Sequence, residues 1–475
     1  MMRRLCIILG VFLYTACPVM EPEQAISTNG SFRIPDEIDE KYTVGKIHIH
    51  MRSGKLITSI VQARQGNQFV FNSDIGVAEG TPVTFWVEFR DKVSETLYYC
   101  KGQDDIITSG SAYDWNIEEL YIPIFSESGL RLIGNDPRYL SGEKYVLISD
   151  ITINSVWTPL CQTTPFTGTF DGSGHTISGV RFNSSEKNIG LFAQSSGACF
   201  RHLTIVFSDA EVKLESISTQ NFGILAGIVE DTVIERLSVR TIHSGAPDCL
   251  PLVKNNGVEF NAGGIVGYFR GNSRITQSNS QIPVSLQVKG NVSVVSFGAL
   301  IGKVEAVTLS KCYASGNIAI SFDTPDCTVN AGGLIGGGRG STDLVRIEES
   351  YFQGDIDILN AKMGNAGGLF GGNTNSLTIN RSVVLAKSFY AGFTSTYNAN
   401  RISGKSVNLS SYIYASVPLD FRPSVSGGTS GLDKPVNDID VAWFGNQASY
   451  GGLEWDFNTT WVWSSVKNAP VFLWD

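Results

Sequence analysis

The chain has 475 residues, a formal net charge of −9 and only 17% charged residues, against roughly 25% in ordinary globular domains. An acidic chain with no basic run is a poor partner for nucleic acid or an anionic lipid surface, so those functions are set aside. Glycine is abundant at 50 residues, which fits a turn-rich, β-rich exported protein better than a helical one.

Residues 1–16 have the form of an export signal: Arg3 and Arg4, an apolar core from Leu5 to Leu13, then the small residues Thr15 and Ala16. The apolar run is too short to span a bilayer, which takes roughly 20 residues. Loss of the two arginines with the signal would take the charge from −9 to −11. The stretch Leu13-Tyr-Thr-Ala-Cys17 resembles a bacterial lipobox. That resemblance implies lipidation of Cys17 and anchoring to the outer membrane; the other reading is an ordinary cleaved signal with an incidental cysteine. Residues 17–40, with Pro18, Pro22 and Pro35, read as a tether.

From Tyr42 the sequence breaks into short alternating strands. Examples are Val83-Thr-Phe-Trp-Val-Glu-Phe89 and Leu97-Tyr-Tyr-Cys100, with Gly54, Gly66, Gly80 and Pro82 between strands. Residues 41–140 are therefore expected to form a small β-sandwich. Its position ahead of a repeat region resembles that of the fimbrillin-like lipoproteins.

Residues 141–410 are organised by a seven-residue phrase that occurs six times. Its copies start at Asn188, Asn221, Asn261, Ser296, Asn330 and Asn365, at intervals of 33, 40, 35, 34 and 35 residues. The third position is always glycine: Gly190, Gly223, Gly263, Gly298, Gly332 and Gly367. The fifth is always large and apolar: Phe192, Leu225, Ile265, Leu300, Leu334 and Leu369. A strand-like run rich in β-branched residues follows each copy, as in Val233-Ile-Glu-Arg-Leu-Ser-Val239. A unit of this length cannot bury its apolar face alone, so the units are expected to stack as turns of a β-solenoid. The fifth residue would then point inward, and the asparagines would form a ladder. The glycines would serve a positive-φ bend, or a place where successive turns leave no room for a side chain. A phosphate-binding loop is the other reading of such glycines, but no lysine or ribose-binding acid stands at the required distance.

The glycine–apolar–glycine core resembles the GLUG motif of bacterial surface proteins. Tyr145-Val-Leu-Ile-Ser-Asp-Ile-Thr152, Trp157 and Pro165-Phe-Thr-Gly-Thr-Phe-Asp-Gly-Ser-Gly174 resemble the opening segment of β-helical surface lipoproteins common in Bacteroidetes, and Cys161 stands where a glycine is usual. Trp455, Trp461, Trp463 and Pro470–Trp474 resemble the closing segment of the same proteins. The fold expected is all-β: a sandwich, a solenoid of about 35-residue repeats, and an aromatic cap over 411–475. Five tryptophans, Trp443, Trp455, Trp461, Trp463 and Trp474, would pack over the final turn to cover its open edge. The sharper alternative makes them a platform for sugar rings.

No catalytic set stands out. Neither HExxH nor GxSxG is present. His48 and His50 share a strand face but lack a third ligand, so no metal site is assigned. Asp171-Gly-Ser-Gly174 reads as a tight turn, with half of a calcium site as the alternative. Asp104-Asp105 and Asp355/Asp357 give no indication of facing each other across a cleft, as glycosidase carboxylates must. The widely spaced cysteines Cys100, Cys161, Cys199, Cys249, Cys312 and Cys327 leave open both disulfides and buried thiols. No catalytic residue and no cofactor is expected. The function expected is a lipid-anchored, adhesin-like or fimbria-associated surface protein that contacts host proteins, glycans or fimbrial subunits, with residues 243–259 as a variable loop. The alternative is a carbohydrate-binding or β-helical polysaccharide-degrading protein.

Overall fold

A computed structural model describes residues 26–475 except 52–54, 61–62, 76, 107, 109–111, 118, 209–211, 216–217, 242–249, 325, 339–343, 373–375, 396, 405–412, 417–419, 424–428, 432–436 and 475. The signal, Cys17 and the start of the tether lie outside the described residues, as do Cys249 and His243. The chain is all-β and divides into two compact units: residues up to Lys92 with Cys100–Glu119, and Val93–Tyr99 with Leu120–Asp475.

The first unit holds two four-stranded sheets. One runs Ala63–Gln65, Gln68–Ile75, Ile26–Arg33, Ala112–Asn116; the other runs Leu56–Ile60, Tyr42–Met51, Pro82–Asp91, Leu97–Ile106. Alternate apolar residues of the two sheets meet between them, with Phe71 and Phe85 ring centroids 5.9 Å apart. The strand Ile26–Arg33 pairs with Gln68–Ile75, so it lies in this unit although the sequence assigns it to a tether. The unit closes at Glu119, and residues 120–140 go with the solenoid.

In the second unit each repeat makes one coil. The chain runs along three faces in turn, and every face is a ladder of parallel strands. The first face carries Cys199–Phe207, Val233–Thr241 and their successors; the second carries Leu250–Gly263, Val284–Gly298 and theirs; the third carries Phe192–Ser196, Ala226–Glu230 and theirs. Leu250–Gly263 is a long strand paired with Val284–Gly298, so residues 250–259 are not the variable loop the sequence suggests. About six turns cover residues 169–415. One hydrophobic core runs unbroken from Ile122 to Ala415.

The repeated phrase is the joint between the second and third faces. Asn188, Asn221, Asn261, Ser296, Asn330 and Asn365 pair in succession without a slip. The fifth-position residues Phe192, Leu225, Ile265, Leu300, Leu334 and Leu369 are all fully buried, at 0% exposure. Their backbones join directly, with Leu300 N–H to Leu334 O and Leu334 N–H to Leu369 O both at 3.0 Å. The glycines answer to crowding, not to positive φ. A Cβ on Gly332 would sit 1.9 Å from the Ile335 carbonyl oxygen of its own joint and 2.6 Å from the Gly371 nitrogen of the following turn, and one on Gly336, at position seven, 2.4 Å from the Phe297 nitrogen of the preceding turn. The third position thus presses on the turn ahead and the seventh on the turn behind.

The same phrase occurs a seventh time, unrecognised from the sequence, as Asn398-Ala-Asn-Arg-Ile-Ser-Gly404. Asn400 replaces the third-position glycine and donates to the Ser403 carbonyl at 2.9 Å. On the second face Asn400 pairs in register with Gly431 of the next strand. Position seven of the first copy is Gln194, where the turn behind is the opening segment and the amide reaches the Gln162 carbonyl.

The asparagine ladder exists but has a gap. Side-chain amides link Asn188, Asn221 and Asn261 at 2.8 and 2.9 Å, and Asn330, Asn365 and Asn398 at 2.9 and 2.8 Å. Ser296 is too short to bridge the two runs, and the Asn261 Oδ1 is buried without a hydrogen-bond partner among the described residues.

The strand-like run after each joint is bent by one residue in left-handed conformation. His202, Arg236, Gln277, Lys311, Glu349 and Arg381 have φ between 46° and 53°. The residues following the later four, Ser278, Cys312, Ser350 and Ser382, turn inward as a buried column. Three of these hydroxyls accept backbone N–H groups, from Leu237 to Ser278, Cys312 to Ser350 and Ser350 to Ser382.

The described cysteines Cys100, Cys161, Cys199, Cys312 and Cys327 are free. Burial pushes the Cys161, Cys312 and Cys327 thiols up to about 12, which suits inert packing groups. Cys161 sits at φ 57°, a conformation glycine would adopt freely.

At the start of the stack, Ser126 caps the short helix Glu127–Leu130, which sets Leu130 into the core. The aromatic C-terminus forms the expected cluster, and it reaches the last rungs of the stack, with Trp443 on Tyr414 at 4.7 Å. It folds against the outer side of the first face, where Trp455, Trp461 and Phe472 cluster with Tyr313, Tyr351 and Val383. The Tyr351 hydroxyl donates to the Pro470 carbonyl at 2.6 Å, and the Trp455 indole N–H to the Arg381 carbonyl at 3.0 Å.

Two stability experiments follow. Leu334→Ala opens a cavity in the axial column and should cost about 2–5 kcal/mol in chemical denaturation, whereas Gly332→Ala, which adds one methyl against backbone, should block folding of the stack. Ser296→Asn should bridge the ladder and raise stability by about 1 kcal/mol; an unchanged or lowered midpoint would show that the gap accommodates the backbone.

Candidate functional site

A groove of about 680 Å³ runs along the corner between the first and second faces. It is built from the residues at equivalent places in successive turns: Arg240, Gln281, Ser315, Gln353 and Leu385. Arg240 pairs in register with Gln281, Ser315 with Gln353, and Gln353 with Leu385. Four strand spacings of roughly 4.8 Å give the groove a length near 19 Å.

The floor is low because two glycines form it. A Cβ on Gly354 would meet the Gly316 carbonyl oxygen at 2.2 Å, and Gly316 itself has φ 133°. The corner is held by side chains that cap the next turn. Asn317 Oδ1 accepts the Asp355 N–H at 3.0 Å, and Asp355 Oδ1 accepts those of Lys387 and Ser388 at 2.8 Å. Gln281 is pinned on three sides: its amide nitrogen donates to Asn279 Oδ1 and the Tyr313 hydroxyl, and its oxygen accepts from Lys467 Nζ at 2.7 Å. Lys467 belongs to the folded-back C-terminal segment, which walls one side.

The charge in this groove runs against the acidic balance of the chain. Arg240, Lys387 and Lys467 are exposed and line it, and none has a carboxylate partner among the described residues. Some other cations on the solenoid are paired: Lys303 with Glu259, Arg381 with Glu349, Arg401 with Asp438. The one lining carboxylate, Asp355, already accepts two N–H groups. No sequence motif marks the site, because its members come from different turns and from a tail whose docking only the fold reveals.

The residues singled out from the sequence fall elsewhere. The six repeat glycines, Gly190 to Gly367, lie in the joints and leave no cradle for a ligand, since their faces are filled by neighbouring backbone. His48 contacts Ser59 Oγ and Glu88 Oε2, both at 2.8 Å. Among the described residues no group of three potential metal ligands comes together. Asp171 is the turn residue of Asp171–Gly174: it accepts the Ser173 N–H at 2.8 Å and contacts Arg201 at 2.8 Å and His202 at 3.2 Å. Burial pushes its carboxyl up, but His202, Arg201 and the Ser173 N–H outweigh burial and hold it below the usual carboxylate range. Of the tryptophans, Trp461 and Trp455 are buried in the aromatic cluster, and Trp443, Trp463 and Trp474 pack against it half-buried. They form no exposed row of rings.

Since the folded value of Asp171 is depressed, its contribution to stability is present above the ordinary carboxyl value of ~3.9 and is lost as pH falls through the lower folded value. Thermal melts should show Asp171→Asn less stable than wild type at neutral pH. The two should converge below pH ~4; parallel curves would exclude the charged role.

No protein-family model matches this sequence, and no curated protein does. Among solved structures, one described as an IgA1 protease aligns over 82% of this chain with 14% identity and a TM-score of 0.36. This chain spans 29% of that protein's length.

Proposed function

We propose that this chain is an exported surface protein, lipid-anchored through Cys17, that works by presenting a stiff β-solenoid for adhesion. The observation that carries this reading is the unbroken axial core, in which seven joints stack in register from Asn188 to Asn398. Six steps of roughly 4.8 Å place those ends near 29 Å apart. A stack whose turns are locked backbone to backbone resists bending and displays long flanks, which suits extended contact more than a reaction at one point. The resemblance of residues 13–17 to a lipobox and the export-type leader support the location. An adhesin or fimbria-associated role is the corresponding biological assignment.

A carbohydrate-binding role is the second reading, favoured by the amide- and cation-lined groove. A glycosidase would need two carboxylates across a cleft, and the groove supplies Asp355 alone.

Expression in a diderm bacterial host tests anchoring and display together. Wild type should fractionate with membranes and be cleaved by protease added to intact cells, while Cys17→Ser should be released in soluble form. Identical fractionation of the two would rule out the lipid anchor; complete protection on intact cells would rule out surface display.

A further inference from the structure

We propose that the groove at the corner of the first and second faces binds an extended anionic glycan, a sugar chain bearing carboxylate or sulfate groups. Three features of the site choose this chemistry over others. First, Arg240, Lys387 and Lys467 project at a place where no carboxylate neutralises them among the described residues, on a chain of net charge −9. Three cations lining one groove beside a single carboxylate make a local positive field that attracts an anion. Second, the surfaces between the cations are side-chain amides. Gln353 offers both a donor and an acceptor, the pairing a sugar hydroxyl needs, and Asn317, whose Oδ1 holds the Asp355 N–H, offers its amide donor. Third, the groove spans about 19 Å across five turns, so it suits an oligomer lying along the solenoid axis.

The competing classes fit less well. A peptide adding a strand needs a free sheet edge, but Gly316 N–H is bonded to Gln353 O and Gly354 N–H to Leu385 O, both at 3.0 Å. Single-stranded nucleic acid is gripped by stacking on aromatic faces, and the lining contains no aromatic ring. The same lack of a ring disfavours neutral sugars, whose recognition leans on stacking, and leaves charge as the main source of attraction. Arg240 and Lys387 stand on turns at opposite ends of the groove, so the spacing of anionic groups along the chain sets the register of binding.

This inference deepens the carbohydrate-binding reading but is independent of anchoring, because its test uses purified full-length chain. Isothermal titration would compare oligomers of polygalacturonate, chondroitin sulfate and neutral dextran with polyglutamate. Binding of at least one anionic glycan is expected, with no binding of dextran and weakening as salt is added. Preference for the uronate or the sulfated oligomer identifies which anion the groove takes. The variant R240Q/K387Q/K467Q should lose at least tenfold in affinity, and R240Q/K387Q, which keeps the Lys467–Gln281 hydrogen bond, should lose affinity with an unchanged melting temperature, since both residues are exposed. Absence of binding to both anionic glycans, equal binding by the variant, or binding of polyglutamate as tight as that of the glycans would overturn the proposal.

Discussion

Successive turns of this solenoid touch backbone to backbone at the glycine joint, and most of the remaining structure is arranged around that contact. A side chain at position three would enter the turn ahead, and one at position seven the turn behind. The first copy departs from glycine at position seven, where Gln194 faces the opening segment instead of a joint, and the last described copy carries Asn400 at position three. The glycines are therefore a steric requirement of stacking, and the polar residues that replace them occupy hydrogen-bonding groups that stacking would otherwise use.

Stability and register have different sources at the joint. Each buried fifth-position side chain contributes roughly 1.5–3 kcal/mol, while each asparagine bond contributes about 0.5–1.5 kcal/mol net. The apolar column therefore dominates the stability of the joint. The ladder matters more for alignment: a slip of one residue toward the second position would set each asparagine against an apolar neighbour and reverse every inward and outward side chain. The left-handed corners carry an opposing cost, about 1–2 kcal/mol for each non-glycine residue in that conformation. That cost is offset by the serine column, which supplies buried hydroxyls to backbone N–H groups at the bend.

The joint was legible in the sequence because one geometric demand, the absence of a Cβ, selects one residue type at a fixed place in the phrase. The same logic explains what was not legible. The left-handed corner tolerates His202, Arg236, Gln277, Lys311, Glu349 and Arg381 alike, because their side chains leave the corner toward solvent. Only arginine recurs, at Arg236 and Arg381, so no pattern forms. The seventh joint escaped because Asn400 lacks the signature glycine, even though Asn398 and Ile402 keep the ladder and the column. The groove was invisible for a third reason: its parts are spread over five turns and a docked tail, and no local spacing relates Arg240 to Lys467.

The docked tail follows from the outward side of the first face. Solenoid strands usually turn polar residues outward, but Tyr313, Tyr351 and Val383 stand in register there while the adjacent Ala314, Phe352 and Val384 point into the axial core. These strands are apolar on both sides, as buried parallel strands are, and they require a cover. The tryptophan-rich segment supplies it, stacking Trp455 on Trp461 at 4.7 Å and Trp461 on Phe472 at 4.8 Å. On the earlier turns the outward positions become polar, and there the edge of the cover meets the solenoid through the Lys467–Gln281 hydrogen bond. The groove is the space between that edge and the glycine corner. The apolar outward residues that bring the tail back thus also create the wall that holds Lys467 opposite Arg240 and Lys387, so an element needed for burial places the third cation of the site.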